Sequence, residues 1–315
     1  MTVDPETSRS EAVHRYLRSL QQELCSGFGA FEKARQFDFD AWEKPPGAAL
    51  QGSGLTAVLE GGEFIERGGV ACSDVRGSQL PPAATARNPH LAGRSYRAMG
   101  VSVVIHPRNP HVPTSHMNVR AFSAGDVWWF GGGFDLTPYL VNDQDVRDWH
   151  RSAAQACAGF HPGLYAHARA TCDEYFFLRH RGEARGIGGI FFDDLNDLTP
   201  DFGMPWERCF EFMRTVGSTY RDTYLRILSA RRSQPFGERE RSYQLHRRGR
   251  YVEFNLVFDR GTLFGLQSGG RAQSILMSMP PLVSWSYASP DAQFDAQLLP
   301  YLTTLRGHDW LMSGK

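Results

Sequence analysis

The chain has 315 residues, 41% of them apolar, which is enough to bury a large core, and its 34 basic and 34 acidic side chains leave no formal net charge. That balance argues against nucleic acid as the main partner. No apolar run approaches the roughly 18 residues of a membrane span, and Met1–Ser10 is too polar for a signal peptide, so a cytoplasmic location is expected. The five cysteines (Cys25, Cys72, Cys157, Cys172 and Cys209) form no CxxC pair and leave an odd one over, the mark of buried thiols rather than of a zinc ribbon or disulfide framework. Only Lys33, Lys44 and Lys315 are lysines; the remaining positive charge is arginine, the residue that forks onto carboxylates and phosphates.

In chain order, residues 11–25 carry Val13, Leu17, Leu20 and Leu24 at helical spacing. Residues 42–54, rich in Pro and Gly, read as a loop before strands at 55–60 and 69–73. Two alternating runs follow, Val101–His106 and His116–Ala121, joined through Pro107, Pro110 and Pro113. Asp143 is placed as the N-cap of a helix with Val146, Trp149, Ala153 and Cys157 on its core stripe. Further helices are expected over 164–181 and 206–232, and further strands over 187–193, 251–259, 262–267 and 274–279. Strands grouped in hairpins with helices in blocks predict an α+β fold: one domain with a large antiparallel sheet covered by helices on both sides, residues 1–10 being a flexible lead.

Period two puts Ser102, Val104 and His106 on one face of their strand and His116, Asn118 and Arg120 on one face of the next. If the two pair with those faces aligned, the sheet presents a polar surface. The run Arg185–Asp194 superficially offers a dinucleotide turn, but its glycines precede the strand instead of following one, which argues against NAD or FAD. Asp193 and Asp194 end that strand; neighbours in extended chain point to opposite sides, so one is expected to face a site while the other caps or pairs with a cation. Gly269-Gly270-Arg271 reads as a turn between strands offering amides and a guanidinium to an anion. None of His106, His116, His150 and His180 has the short helical spacing of a zincin site.

Three blocks, FGGGFDLTP (Phe130–Pro138), RGIGGIFFDDLN (Arg185–Asn196) and YVEFNLVFDRGTLFGLQSGGRAQSILMSMPPLVSW (Tyr251–Trp285), carry a resemblance to oxygen-dependent coproporphyrinogen III oxidase that runs from about Trp42 to Leu311. The chain departs from that family near its start. Trp42-Glu43-Lys44 stands in place of Trp-x-Arg, the following glycine run is interrupted, and Ala71-Cys72-Ser73-Asp74 lacks the expected Asn and His.

The resemblance implies oxidative decarboxylation of two propionates of coproporphyrinogen III to vinyl groups, giving protoporphyrinogen IX in heme biosynthesis. O2 is the electron acceptor and no organic cofactor is needed. It implies a homodimer with residues 251–285 at the contact. His116, Asp193 and Asp194 are the implied catalytic residues, and Ser102, Asn118, Val119, Arg120, Gly269, Gly270 and Arg271 the substrate contacts. His106, His116, His150 and His180 are implied as ligands of a divalent metal. A porphyrinogen fits these residue types: arginines and amides suit its carboxylates, an aspartate its pyrrole N–H groups, and aromatic walls its rings. Two rivals remain open, a His- and carboxylate-ligated metal oxygenase and a tetrapyrrole carrier without turnover.

Overall fold

The apolar stripe of Val13, Leu17, Leu20 and Leu24 is buried along one side of helix α1 (Pro5–Gly29) in the computed structural model, which describes residues 5–80, 89–304 and 310–311. A meander of six antiparallel strands follows: β1 (Asp38–Glu43), β2 (Leu50–Glu60), β3 (Ile65–Gly77), β4 (Tyr96–Pro107), β5 (Thr114–Ala124) and β6 (Val127–Thr137). The expected loop over 42–54 therefore shrinks to the turn between β1 and β2. Two helices, α2 (Asp143–Ala158) and α3 (Leu164–Tyr175), and a two-residue hairpin, β7 (Phe177–Leu178) with β8 (Glu183–Ala184), lead into β9 (Gly188–Leu195). β9 then pairs antiparallel with β6 and completes a sheet of order 1-2-3-4-5-6-9.

The predicted α+β architecture holds, and alternation along the strands explains it. Val101, Val103 and Ile105 of β4 and Met117 and Val119 of β5 point to one side, where they meet α1 and the long helix α4 (Trp206–Arg231) in a common core. Each such large apolar side chain contributes roughly 1.5–3 kcal/mol when taken out of water. The opposite side is roofed by α5 (Glu238–Val257), α6 (Arg260–Gln267) and α7 (Ala272–Leu276). There Tyr251 packs edge-on to His106, Ser274 Oγ lies 2.7 Å from Thr56 Oγ1, and Met277 fills the space left by Gly69. A last helix, α8 (Ala292–Thr303), completes the chain order.

Three local expectations need correcting. The N-cap of α2 is Asn142, whose side chain accepts from the amides of Gln144 and Asp145, and Asp143 is the first helical residue. The helix expected over 164–181 ends at Tyr175, because the chain turns into the β7/β8 hairpin and the amide of Arg185 donates to the carbonyl of Phe176. The strands expected over 251–259, 262–267 and 274–279 are the last turns of α5, then α6 and α7. Aromatic and β-branched residues favour strand locally, but the buried set Gln244, Arg248, Tyr251 and Asn255 recurs every three or four residues, the spacing of one helix face laid on the sheet. Of the lead over residues 1–10, the part from Pro5 begins α1, and residues 1–4 lie outside the described residues. Among the described residues no helix is long and apolar enough to cross a membrane.

Candidate active site

The β4/β5 hairpin pairs Val104 with His116, Ser102 with Asn118 and Gly100 with Arg120, so the two polar faces align as the alternation predicts. They form the floor and one wall of a cleft of about 370 Å³ between the sheet and the α5–α7 roof. Phe122, Trp129 and Phe264 make an apolar end; His116, Arg120, Asp193, Asp194, Asp259 and Arg260 make a polar one. Ser102 and Asn118 line the floor at the paired strand positions between His116 and Arg120. Val119 does not join them: it points to the opposite face and is fully buried in the core.

Both aspartates of β9 reach the cleft, contrary to the one-in, one-out expectation. The β6/β9 pairing shifts register between Phe130 and Gly132, and Asp194 takes a left-handed backbone with φ 55°. A bulge of this kind breaks the period of two and turns successive side chains to the same side. Asp193 is then drawn into ion pairs with Arg120 at 2.9 Å and Arg260 at 3.6 Å.

His116 is held from behind. Its Nδ1 donates to Asp135 Oδ1 at 2.8 Å, and both oxygens of Asp135 accept from Arg185 Nη2 at 2.8 Å. Arg185 also donates to Asn255 Oδ1 at 2.7 Å and lies over the rings of Phe176, Tyr251 and Phe254, at 4.2, 4.4 and 4.7 Å from their centroids. Burial alone would raise the Asp135 carboxyl; the Arg185 charge and the His116 hydrogen bond outweigh it and hold the group below the usual carboxylate range. With Nδ1–H committed to Asp135, Nε2 of His116 is the nitrogen left to the cleft.

Asp259 is the N-cap of α6. Its carboxylate accepts from the amide and hydroxyl of Thr262 and from Tyr175 Oη, the last at 2.8 Å, and these donors outweigh burial to lower its pKa. The Tyr175 hydroxyl in turn accepts from the amide of Arg260, and its ring stacks on Phe191 at 4.5 Å.

The four histidines proposed as ligands are dispersed. His106 is sealed under the roof, with Nε2–H donating to the Ser278 carbonyl and Nδ1 accepting from the Thr114 hydroxyl. His150 donates from Nε2 to the Ile187 carbonyl and stacks on Trp310, and burial pushes it down to about 3. Burial likewise pushes His106 well below the usual histidine range, so both rings are neutral at neutral pH. His180 sits in the β7/β8 turn against Glu253. Only His116 faces the cleft. Among the described residues no three His, Cys, Asp or Glu side chains gather to hold a metal ion, so the donor set does not fit one.

Gly269 and Gly270 are also engaged otherwise than expected. Gly269 has φ 70°, its amide donates to the Leu266 carbonyl, and the Gly270 amide donates to the Gly265 carbonyl. This is a Schellman cap on α6, and it leaves neither amide for an anion. The Gly269 carbonyl accepts from Lys44 at 2.6 Å and Arg271 pairs with Asp40 at 2.5 Å, which ties the turn to the sheet edge, while Gly270 and Arg271 line the cleft. A Cβ on Gly269 would meet nothing within 4 Å, so Gly269→Ala is expected to cost only its backbone strain, about 1 kcal/mol in chemical denaturation. Its KM should match that of the native protein; a raised KM would restore the turn as an anion cradle.

Sequence reasoning passed over Asp135, Tyr175, Arg185, Asn255, Asp259 and Arg260. The signal for Asp259 was present: Asp-Arg-Gly-Thr is a helix N-terminus, hidden by reading 251–267 as strands. Asp135 and Arg185 lie within the resembling blocks, but nothing local announces that they pair. In comparison with known protein families, the model described as coproporphyrinogen III oxidase matches residues 12–310.

Proposed function

The chain belongs to the coproporphyrinogen III oxidase family, and from that premise we propose that it converts two propionates of coproporphyrinogen III to vinyl groups with O2 as the electron acceptor. The observation that supports this reading is the polar end of the cleft, where guanidiniums alternate with carboxylates beside aromatic walls. A porphyrinogen has matching parts: propionates for Arg120 and Arg260, pyrrole N–H donors for Asp194, and an apolar ring for Phe122, Trp129 and Phe264.

For each side chain, a hydride equivalent leaves the β-carbon, the carboxylate departs as CO2, and the two electrons with one further proton reduce O2 to H2O2. The electron-rich pyrrole is the group that reacts with oxygen, so the protein contributes orientation, charge placement and proton transfer. In this proposal His116 Nε2 carries the proton, and Asp135 and Arg185 keep its ring oriented. No organic cofactor enters the scheme. The protein acts in the cytoplasm as a homodimer joined through residues 251–285, where Leu256, Val257, Leu263, Leu266, Leu282 and Trp285 expose large apolar surfaces.

The test is oxygen uptake and product fluorescence with anaerobically prepared coproporphyrinogen III, run on metal-depleted protein with and without chelator. Conversion to protoporphyrinogen IX with one O2 consumed per propionate, unaffected by chelator, is the expected result. Activity restored only by added metal would favour a metal oxygenase, and binding without oxygen uptake a carrier.

A further inference from the structure

At the polar end of the cleft two guanidiniums converge on one carboxylate. Arg120 arrives from β5 and Arg260 from the first turn of α6, and both contact Asp193 at the β9 bulge, one on each carboxylate oxygen. Phe191 lies beneath both, with the guanidinium carbons 5.6 and 5.7 Å from its ring centroid. Arg120 is further fixed by donating to Asn118 Oδ1 at 2.7 Å. Space for this arrangement depends on residue 131, the strand partner of Arg120: a Cβ on Gly131 would stand 2.7 Å from Asp193 Oδ1 and 2.9 Å from Arg120 Nε.

We propose that Asp193 is a positioning residue that holds Arg120 and Arg260 as a two-armed clamp for one substrate carboxylate, and that Gly131 is the gap that lets the clamp assemble. The inference rests on the reading that the cleft takes a propionate-bearing tetrapyrrole. Two cations aimed at one point repel each other and swing on long side chains; a carboxylate behind them offsets the repulsion and sets the planes of both forks. Each guanidinium has five N–H donors, so those not used by Asp193 and Asn118 are left for the ligand. Asp194 and Asp259 face the same end, so a carboxylate is welcome there only while both arms are correctly placed.

The clamp makes a prediction opposite in sign to simple charge counting. Asp193→Asn removes a negative charge from the site, which by itself would tighten the binding of an anion. If Asp193 acts by positioning, binding weakens instead. The measurement is fluorescence titration with coproporphyrin III and with its tetramethyl ester, which has the same ring and no charged carboxylates. The native protein is expected to prefer the tetra-acid by about tenfold or more, the scale of charge-assisted fork contacts, and Asp193→Asn to bring that preference close to unity.

Gly131→Ala, which keeps every charge and inserts one methyl group, is expected to do the same, with a thermal melt confirming that it folds; if it does not fold, Asp193→Asn alone decides. A preference unchanged or increased in Asp193→Asn overturns the clamp, as does a native protein that binds acid and ester equally. Because the titration needs no turnover, a failure of the proposed reaction would show in the oxygen assay and not here.

Discussion

Arg185→Met is expected to destabilise the folded protein by about 3–5 kcal/mol, the scale set by breaking a buried ion pair and leaving one charge behind. Asp135 and Arg185 are 1% and 2% exposed, so water cannot replace the lost guanidinium. Methionine fills the aromatic cage of Phe176, Tyr251 and Phe254 but satisfies neither Asp135 nor Asn255. Asp135→Asn with Arg185→Met should be less costly than Arg185→Met alone, because no uncompensated carboxylate remains.

The pH dependence follows with a definite sign. In the native protein the Asp135 pKa is lowered, so its contribution to stability is full above the unfolded value of about 3.9 and is lost as pH falls through the lower folded value. In Arg185→Met only His116 is left to oppose burial, so the carboxyl rises from its native position. The deficit of the variant should therefore shrink as pH falls from neutrality toward that raised value. Urea denaturation across that range measures both; a loss below about 1 kcal/mol would mean that this pair adds little to stability.

His116→Gln is expected to lower kcat by about 10²–10⁴-fold while leaving KM within roughly threefold, the pattern for removing a general acid or base and not a binding contact. Glutamine can still donate to Asp135 but has no nitrogen that accepts and returns a proton at neutral pH. His106→Gln and His150→Gln, whose rings are buried and hydrogen-bonded on both nitrogens, should act on stability first and on kcat only through it. Steady-state kinetics on anaerobically prepared substrate, with melting temperatures alongside, separates the two behaviours. A His116→Gln enzyme turning over at the native rate would end the case for His116 as proton carrier.

The parts of the site that were legible in advance were those set by local periodicity. Alternation along 101–106 and 116–121 placed Ser102, His116, Asn118 and Arg120 on one surface, and the hairpin aligned them. The same rule, applied strictly, excludes Val119 from the cleft and separates Asp193 from Asp194; the structure upholds the first and breaks the second at the β9 bulge. Periodicity also misled. Tyr251–Asp259 has strand composition, and its helical fate depended on the buried Arg248 and Gln244, one and two turns earlier, polar residues that a reading by hydrophobicity discounts.

By itself, then, the sequence determined the α+β class, the helix that opens the fold, the polar face of the central hairpin and, through its three blocks, the family. The tertiary structure alone decided that Arg185 would neutralise Asp135 behind His116, that Asp193 would lie between Arg120 and Arg260, that Gly269 would cap a helix, and that the four histidines would not meet. The physical reason is the range of the interactions. Strand alternation and helix periodicity follow from neighbouring dihedrals and side chains and are written in consecutive residues. A buried charge acquires its partner only when distant segments pack, and what that partner is sets its pKa and its chemistry.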